Sequence, residues 1–140
     1  MSVKITIETK QFDEDGNMDT IELETNGKIF RKNGKIYITY KEKLENSEIS
    51  NTVKISEADN EVMLKKTGVV NTTITLRDKQ SHTDRYNLPI GTFLMDTYVR
   101  KMEINDIKED TVKVFIDYDL ELEEIFKGRN KLRIDVRPFV

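Results

Sequence analysis

The sequence predicts an all-β protein: a single antiparallel up-and-down β-barrel of about eight to ten strands. Three observations carry this. Apolar and polar residues alternate with a period of two along most of the chain, the signature of strands with one buried face. Glycine, asparagine and aspartate recur between those alternations at hairpin spacing. Alanine, the best helix former, occurs once, at Ala58, while the β-branched residues are abundant. No segment carries a sustained 3.6-residue apolar stripe.

The first strand is read from Val3, Ile5 and Ile7, alternating with Lys4, Thr6 and Glu8. The polar stretch 13–19 holds Gly16 and makes a turn. Ile21 and Leu23 give a second strand, expected to end at Asn26-Gly27. A short strand at Ile29 and Phe30 then leads into Asn33-Gly34. Asn-Gly suits a type I′ hairpin turn because both residues tolerate positive φ. Ile36, Ile38 and Tyr40 form the next face, followed by Val53 and Ile55, a turn at residues 57–60, and Val62 to Lys66.

After Thr67-Gly68, Val70, Thr72, Ile74 and Leu76 alternate. Asp78-Lys79-Gln80 makes the next turn, and His82 to Asn87 another strand. Pro89 and Gly91 precede a long strand from Thr92 to Asn105. Its apolar phase changes between Val99 and Met102, which predicts a β-bulge. Val112 to Leu122 and Leu132 to Val136 are the clearest alternations. Glu123 to Lys127 is the best helical candidate, as one turn. Closing such a meander into a barrel removes its exposed edges.

Composition narrows the function. At 140 residues one domain is expected, large enough to fold without a staple. The absence of cysteine excludes disulfides, thiolate metal sites and cysteine nucleophiles. No apolar run reaches the ~20 residues of a membrane-spanning helix, and the opening MSVKITIETK lacks a signal-peptide core, so a cytoplasmic protein is expected. Charged residues make up 35% of the chain with a net charge of -3, which does not point to nucleic acid. The basic run Lys127, Arg129, Lys131, Arg133, Arg137 follows Glu121, Glu123 and Glu124. It is expected to pair across neighbouring strands on the outer face.

Candidate chemistry is sparse. Asp13, Asp15, Asn17, Asp19 and Glu24 have EF-hand spacing, but Met18 occupies the position that needs glycine, and a solvated hairpin loop is expected. His82 is the only histidine. Its neighbours Ser81 and Asp84 are too close in sequence to form a triad. Asp117 and Asp119 lie on an outward face, and no glycine-rich phosphate loop is present. No metal or cofactor is implied.

The polar side chains in phase with apolar ones remain. Tyr40, Thr72, Thr97 and Tyr118 are expected to face inward, with Tyr86, Lys66 and Arg100 reaching a barrel mouth. They would line a cavity for a small apolar or amphipathic ligand, or fill a solid core. The leading expectation is a non-enzymatic ligand-binding barrel. The second is an interaction module or homodimer using Phe30, Tyr37, Phe115 and Phe126. An enzyme would need a carboxylate such as Asp96 inside the cavity.

Five segments carry a family resemblance: IYITYKEK (Ile36 to Lys43), VMLKKTG (Val62 to Gly68), YNLPIGTFLMDT (Tyr86 to Thr97), FIDYDLELE (Phe115 to Glu123) and NKLRIDV. The chain resembles the uncharacterised bacterial YwiB-like family of calycin-like, or lipocalin-like, β-barrels. Lys66 stands where that family's pattern has an arginine. The resemblance implies the barrel fold and assigns no activity.

Overall fold

A computed structural model describes residues 1–139. They form ten strands: β1 (Ser2–Asp13), β2 (Met18–Lys32), β3 (Lys35–Lys43), β4 (Glu48–Ser56), β5 (Glu61–Gly68), β6 (Asn71–Arg77), β7 (Ser81–Leu88), β8 (Gly91–Asn105), β9 (Val112–Leu122) and β10 (Phe126–Pro138). Each strand pairs antiparallel with its neighbours in sequence, and β10 returns to pair with β1. The sheet is a closed up-and-down barrel, as the alternation predicts.

Period-two patterning decides which side chains go in. On β9, Val112, Val114, Ile116 and Tyr118 are buried, while Lys113, Phe115, Asp117 and Asp119 face the outer wall. In an up-and-down barrel the starts of odd strands and the ends of even strands meet at one end. That end is packed solid by Val3, Ile5, Ile29, Ile36, Ile55, Val62, Leu76, Val112 and Val136. Burying each of these side chains stabilises the fold by about 1.5–3 kcal/mol. At the opposite end the inward positions turn polar.

Two expectations are corrected. Asn26-Gly27 is not a turn, and β2 runs straight through it. A Cβ on Gly27 would lie 2.3 Å from the Thr39 carbonyl oxygen and 2.5 Å from Ile5 Cδ1, so glycine is required by close approach. Asn33-Gly34 is the hairpin turn, with φ of 53° and 75°. Residues 123–127 contain no helical turn. Glu124 has φ 56° in a tight turn, closed by the Ile125 N–H on the Leu122 carbonyl, and Phe126 already belongs to β10.

The bulge in β8 is present. Register shifts between Val99 and Lys101, so that Val99 and Met102 pack on the same core. Two seams are incomplete. Strand β2 pairs with β3 only from Gly27 to Lys32, leaving residues 18–26 bonded to β1 alone. Strands β6 and β7 pair only at Asn71↔Asn87 and Thr72↔Tyr86. Beyond that point the Asp84 carboxylate accepts the Thr75 N–H at 2.9 Å, a side chain replacing a ladder bond.

The basic run of β10 lies opposite acids of β9. Lys127 faces Glu121, Arg129 faces Asp119 and Lys131 faces Asp117. Arg129 donates through Nε and Nη2 to the two oxygens of Asp117, at 2.7 and 2.5 Å. That hydrogen bonding holds the Asp117 carboxyl below its ordinary value, against the opposing effect of burial.

Candidate functional site

One rung of the barrel gathers most of the candidate residues. Tyr40 on β3 pairs with Asn51 on β4, Asn51 with Lys66 on β5, Lys66 with Thr72 on β6, and Thr72 with Tyr86 on β7. All five sit at inward positions near the polar end. Across the barrel, Tyr118 on β9 faces Asn130 on β10.

Between these walls lies a cavity of about 160 Å³. Its apolar floor is Ile7, Val53, Leu64, Leu132 and Ile134, and its polar rim is Thr9, Tyr40, Asn51, Lys66 and Tyr118. The rim is wired together. The Glu42 carboxylate accepts Lys66 Nζ and Asn51 Nδ2, each at 2.9 Å. Burial would raise the Glu42 carboxyl, but the Lys66 bond and charge and the Asn51 amide outweigh it, and the group stays below its ordinary value.

The two phenols are kept protonated. Burial, helped by the Glu42 charge, pushes Tyr40 up to about 12. Burial also raises Tyr118, opposed by its bond with Asn130. Asn130 Nδ2 donates to the Tyr118 hydroxyl at 3.2 Å, while Asn130 Oδ1 is buried without a partner among the described residues.

Tyr40, Lys66 and Tyr118 are therefore brought together around one space. Thr72 and Tyr86 continue the rung beyond it. Thr97 is buried, and its hydroxyl donates to the His82 carbonyl at 3.4 Å, a polar filler in the wall. Arg100 does not reach the mouth. It sits at the bulge and donates to Asp119 Oδ1 at 2.9 Å on the outer wall. Thr97 and Arg100 border a separate groove of about 530 Å³, lined also by Lys127, in which the guanidinium groups of Arg100 and Arg129 are already paired with carboxylates.

Glu42, Asn51 and Asn130 were missed by sequence reasoning. The signal was present: each is in phase with apolar neighbours, Glu42 with Ile38 and Tyr40, Asn51 with Val53, and Asn130 with Leu132.

Other candidates fall elsewhere. Asp13 accepts the N–H groups of Asp15 and Asn17 and the Asn17 amide, so its oxygens order the hairpin loop. His82 Nε2 lies 3.4 Å from Asp84 Oδ1, with Ser81 on the other strand face. Asp96 is exposed on the outer wall and accepts the Thr83 hydroxyl. The four aromatics form no single patch. Phe30 stacks on Tyr37 at 5.1 Å, Arg133 covers Phe115 at 4.6 Å, and Phe126 lies beside Gly128.

These features define a closed ten-stranded antiparallel barrel with one packed end and one polar cup. The chain belongs to the family described as a domain of unknown function, DUF1934, whose pattern matches residues 5–134. It is 27% identical over 119 residues to the uncharacterised β-barrel protein YwiB of Bacillus subtilis, covering 84% of this chain and 82% of that protein. The crystal structure of the Bacillus subtilis ywiB protein superposes with a TM-score of 0.86 at 22% identity, covering 99% of this chain and 92% of that one. That likeness establishes the shared barrel. No helix among the described residues is long and apolar enough to cross a membrane.

Proposed function

We propose that this protein is a non-enzymatic cytoplasmic barrel that takes a small amphipathic ligand into the cup between Tyr40, Lys66 and Tyr118. The observation that carries the reading is the cavity itself, an apolar floor under a polar rim, above the end of the barrel that is packed solid. Such a combination orients a ligand by its polar end while burying the rest.

The volume narrows the ligand. A space of about 160 Å³ is near the ~150 Å³ that accepts benzene, and below the ~300–1,000 Å³ of drug-sized pockets. A single ring or a short branched chain fits, and a fatty acyl chain does not. Because Lys66 and Glu42 neutralise each other, the rim favours an uncharged hydroxyl or carbonyl over a full charge. The calycin-like barrel that the family resemblance implies supports the reading only as fold analogy.

Native mass spectrometry of the gently purified protein, with and without added p-cresol, tests this. The expected spectrum shows a small bound molecule that p-cresol replaces and that Leu64→Trp, which fills the cup, excludes. Bare protein that gains nothing from p-cresol would contradict the proposal.

A further inference from the structure

The outer edge of β2 is open over residues 18–26. Residues 18–26 bond to β1 on one side, and β3 joins β2 only from Gly27 onward. Backbone N–H and C=O groups along a strand edge are a template for another strand. Side chains there agree with an absent neighbour. Ile21 and Leu23 are in phase with the buried Ile29, yet Ile21 is 59% exposed.

Charge states what the neighbour should carry. On the outer face Glu8 and Glu22 stand directly opposite each other, a like-charge pair that disfavours the ladder. Arg133, across from Glu8 on β10, is engaged over the Phe115 ring. Neither glutamate has an ion-pair partner within 4.0 Å among the described residues. Glu24, two residues further, lies 3.9 Å from Arg137 and is 77% exposed at its side chain. An added strand with a cation opposite Glu22 would relieve the repulsion.

From this we infer that the free edge at residues 18–26 docks an extended basic peptide of a partner protein by strand addition. Its lysines or arginines lie over Glu22 and Glu24, and its alternate apolar residues cover Ile21 and Leu23. A second copy of this chain fits worse, because antiparallel pairing that matches Ile21 to Leu23 places Glu22 against its own copy.

Hydrogen exchange on the full chain tests the inference, using a blocked peptide of alternating lysine and valine and its glutamate–valine counterpart. The lysine peptide is expected to slow exchange at residues 18–26 by about tenfold or more, as new ladder bonds require. Glu22→Lys combined with Glu24→Lys, both exposed, should transfer that protection to the glutamate peptide. Unchanged exchange at 18–26, equal protection by both peptides, or protection of this edge in a peptide-free dimer would each overturn the inference. The exchange readout is independent of the cup, so it stands or falls apart from the proposed ligand.

Discussion

Asn130 donates a side-chain amide N–H to the Tyr118 hydroxyl at 3.2 Å, and its side-chain carbonyl oxygen meets no partner among the described residues. The pair marks the boundary inside the barrel: Leu132, Ile134 and Val136 continue β10 into the packed end, while Gly128 and Gln11 lead toward the open one. A half-satisfied buried amide costs stability.

Substitutions at that pair should be strongly non-additive. Tyr118→Phe leaves the buried Asn130 amide without its hydrogen-bond partner among the described residues, and should cost about 1–3 kcal/mol. Asn130→Leu removes the unpaired oxygen but strands the buried Tyr118 hydroxyl, and should cost a similar amount. Urea unfolding of both single variants and the double variant measures this, and the double variant should lose far less than the two single losses added together.

Two glycines should differ for different reasons. Gly27→Ala drives a Cβ into the Thr39 carbonyl oxygen and Ile5, and overpacking of this kind typically costs about 1–3 kcal/mol. Gly34→Ala meets no atom within 4 Å and costs only the strain of its φ of 75°, about 1–2 kcal/mol. A second substitution, Ile5→Val, should partly rescue Gly27→Ala and leave Gly34→Ala unchanged in thermal melts.

The phenols set the alkaline limit. Tyr40, raised to about 12, is neutral when folded, so its contribution is full below the ordinary phenol value near 10 and lost as pH rises toward 12. Absorbance at 295 nm should show a late-titrating phenol that Tyr40→Phe removes. Stability should fall over that same pH window.

The carboxylates set the acid limit. Glu42 and Asp117 are both lowered in the folded state, so their contribution is present above the unfolded carboxylate range near 4 and lost as pH falls through the folded values. Denaturation midpoints below pH 4 should therefore drop more steeply for the parent protein than for Glu42→Gln combined with Asp117→Asn.

Most of the barrel was legible because half-buried strands write their period into the sequence. The phase change in β8 announced the bulge, and the acid and base runs of β9 and β10 announced their pairing. Asn26-Gly27 misled because the same dipeptide serves a turn at residues 33–34 and a crowded crossing at 26–27, and only Thr39 and Ile5, brought in by neighbouring strands, distinguish them. Arg100 misled because the bulge that contains it alters which wall it faces. In the cup, Tyr40, Lys66 and Tyr118 were readable from phase, whereas the bonds joining Glu42, Asn51 and Lys66 depend on a register that one strand alone does not specify.

The most direct test of the cup is a methyl-labelled NMR titration with p-cresol. Binding in the cup predicts saturable shifts at the methyls of Ile7, Leu64, Leu132 and Ile134, with Val3, Ile36 and Val112 at the packed end unmoved. No saturable shift at those four residues, or shifts confined to the outer wall, would contradict it.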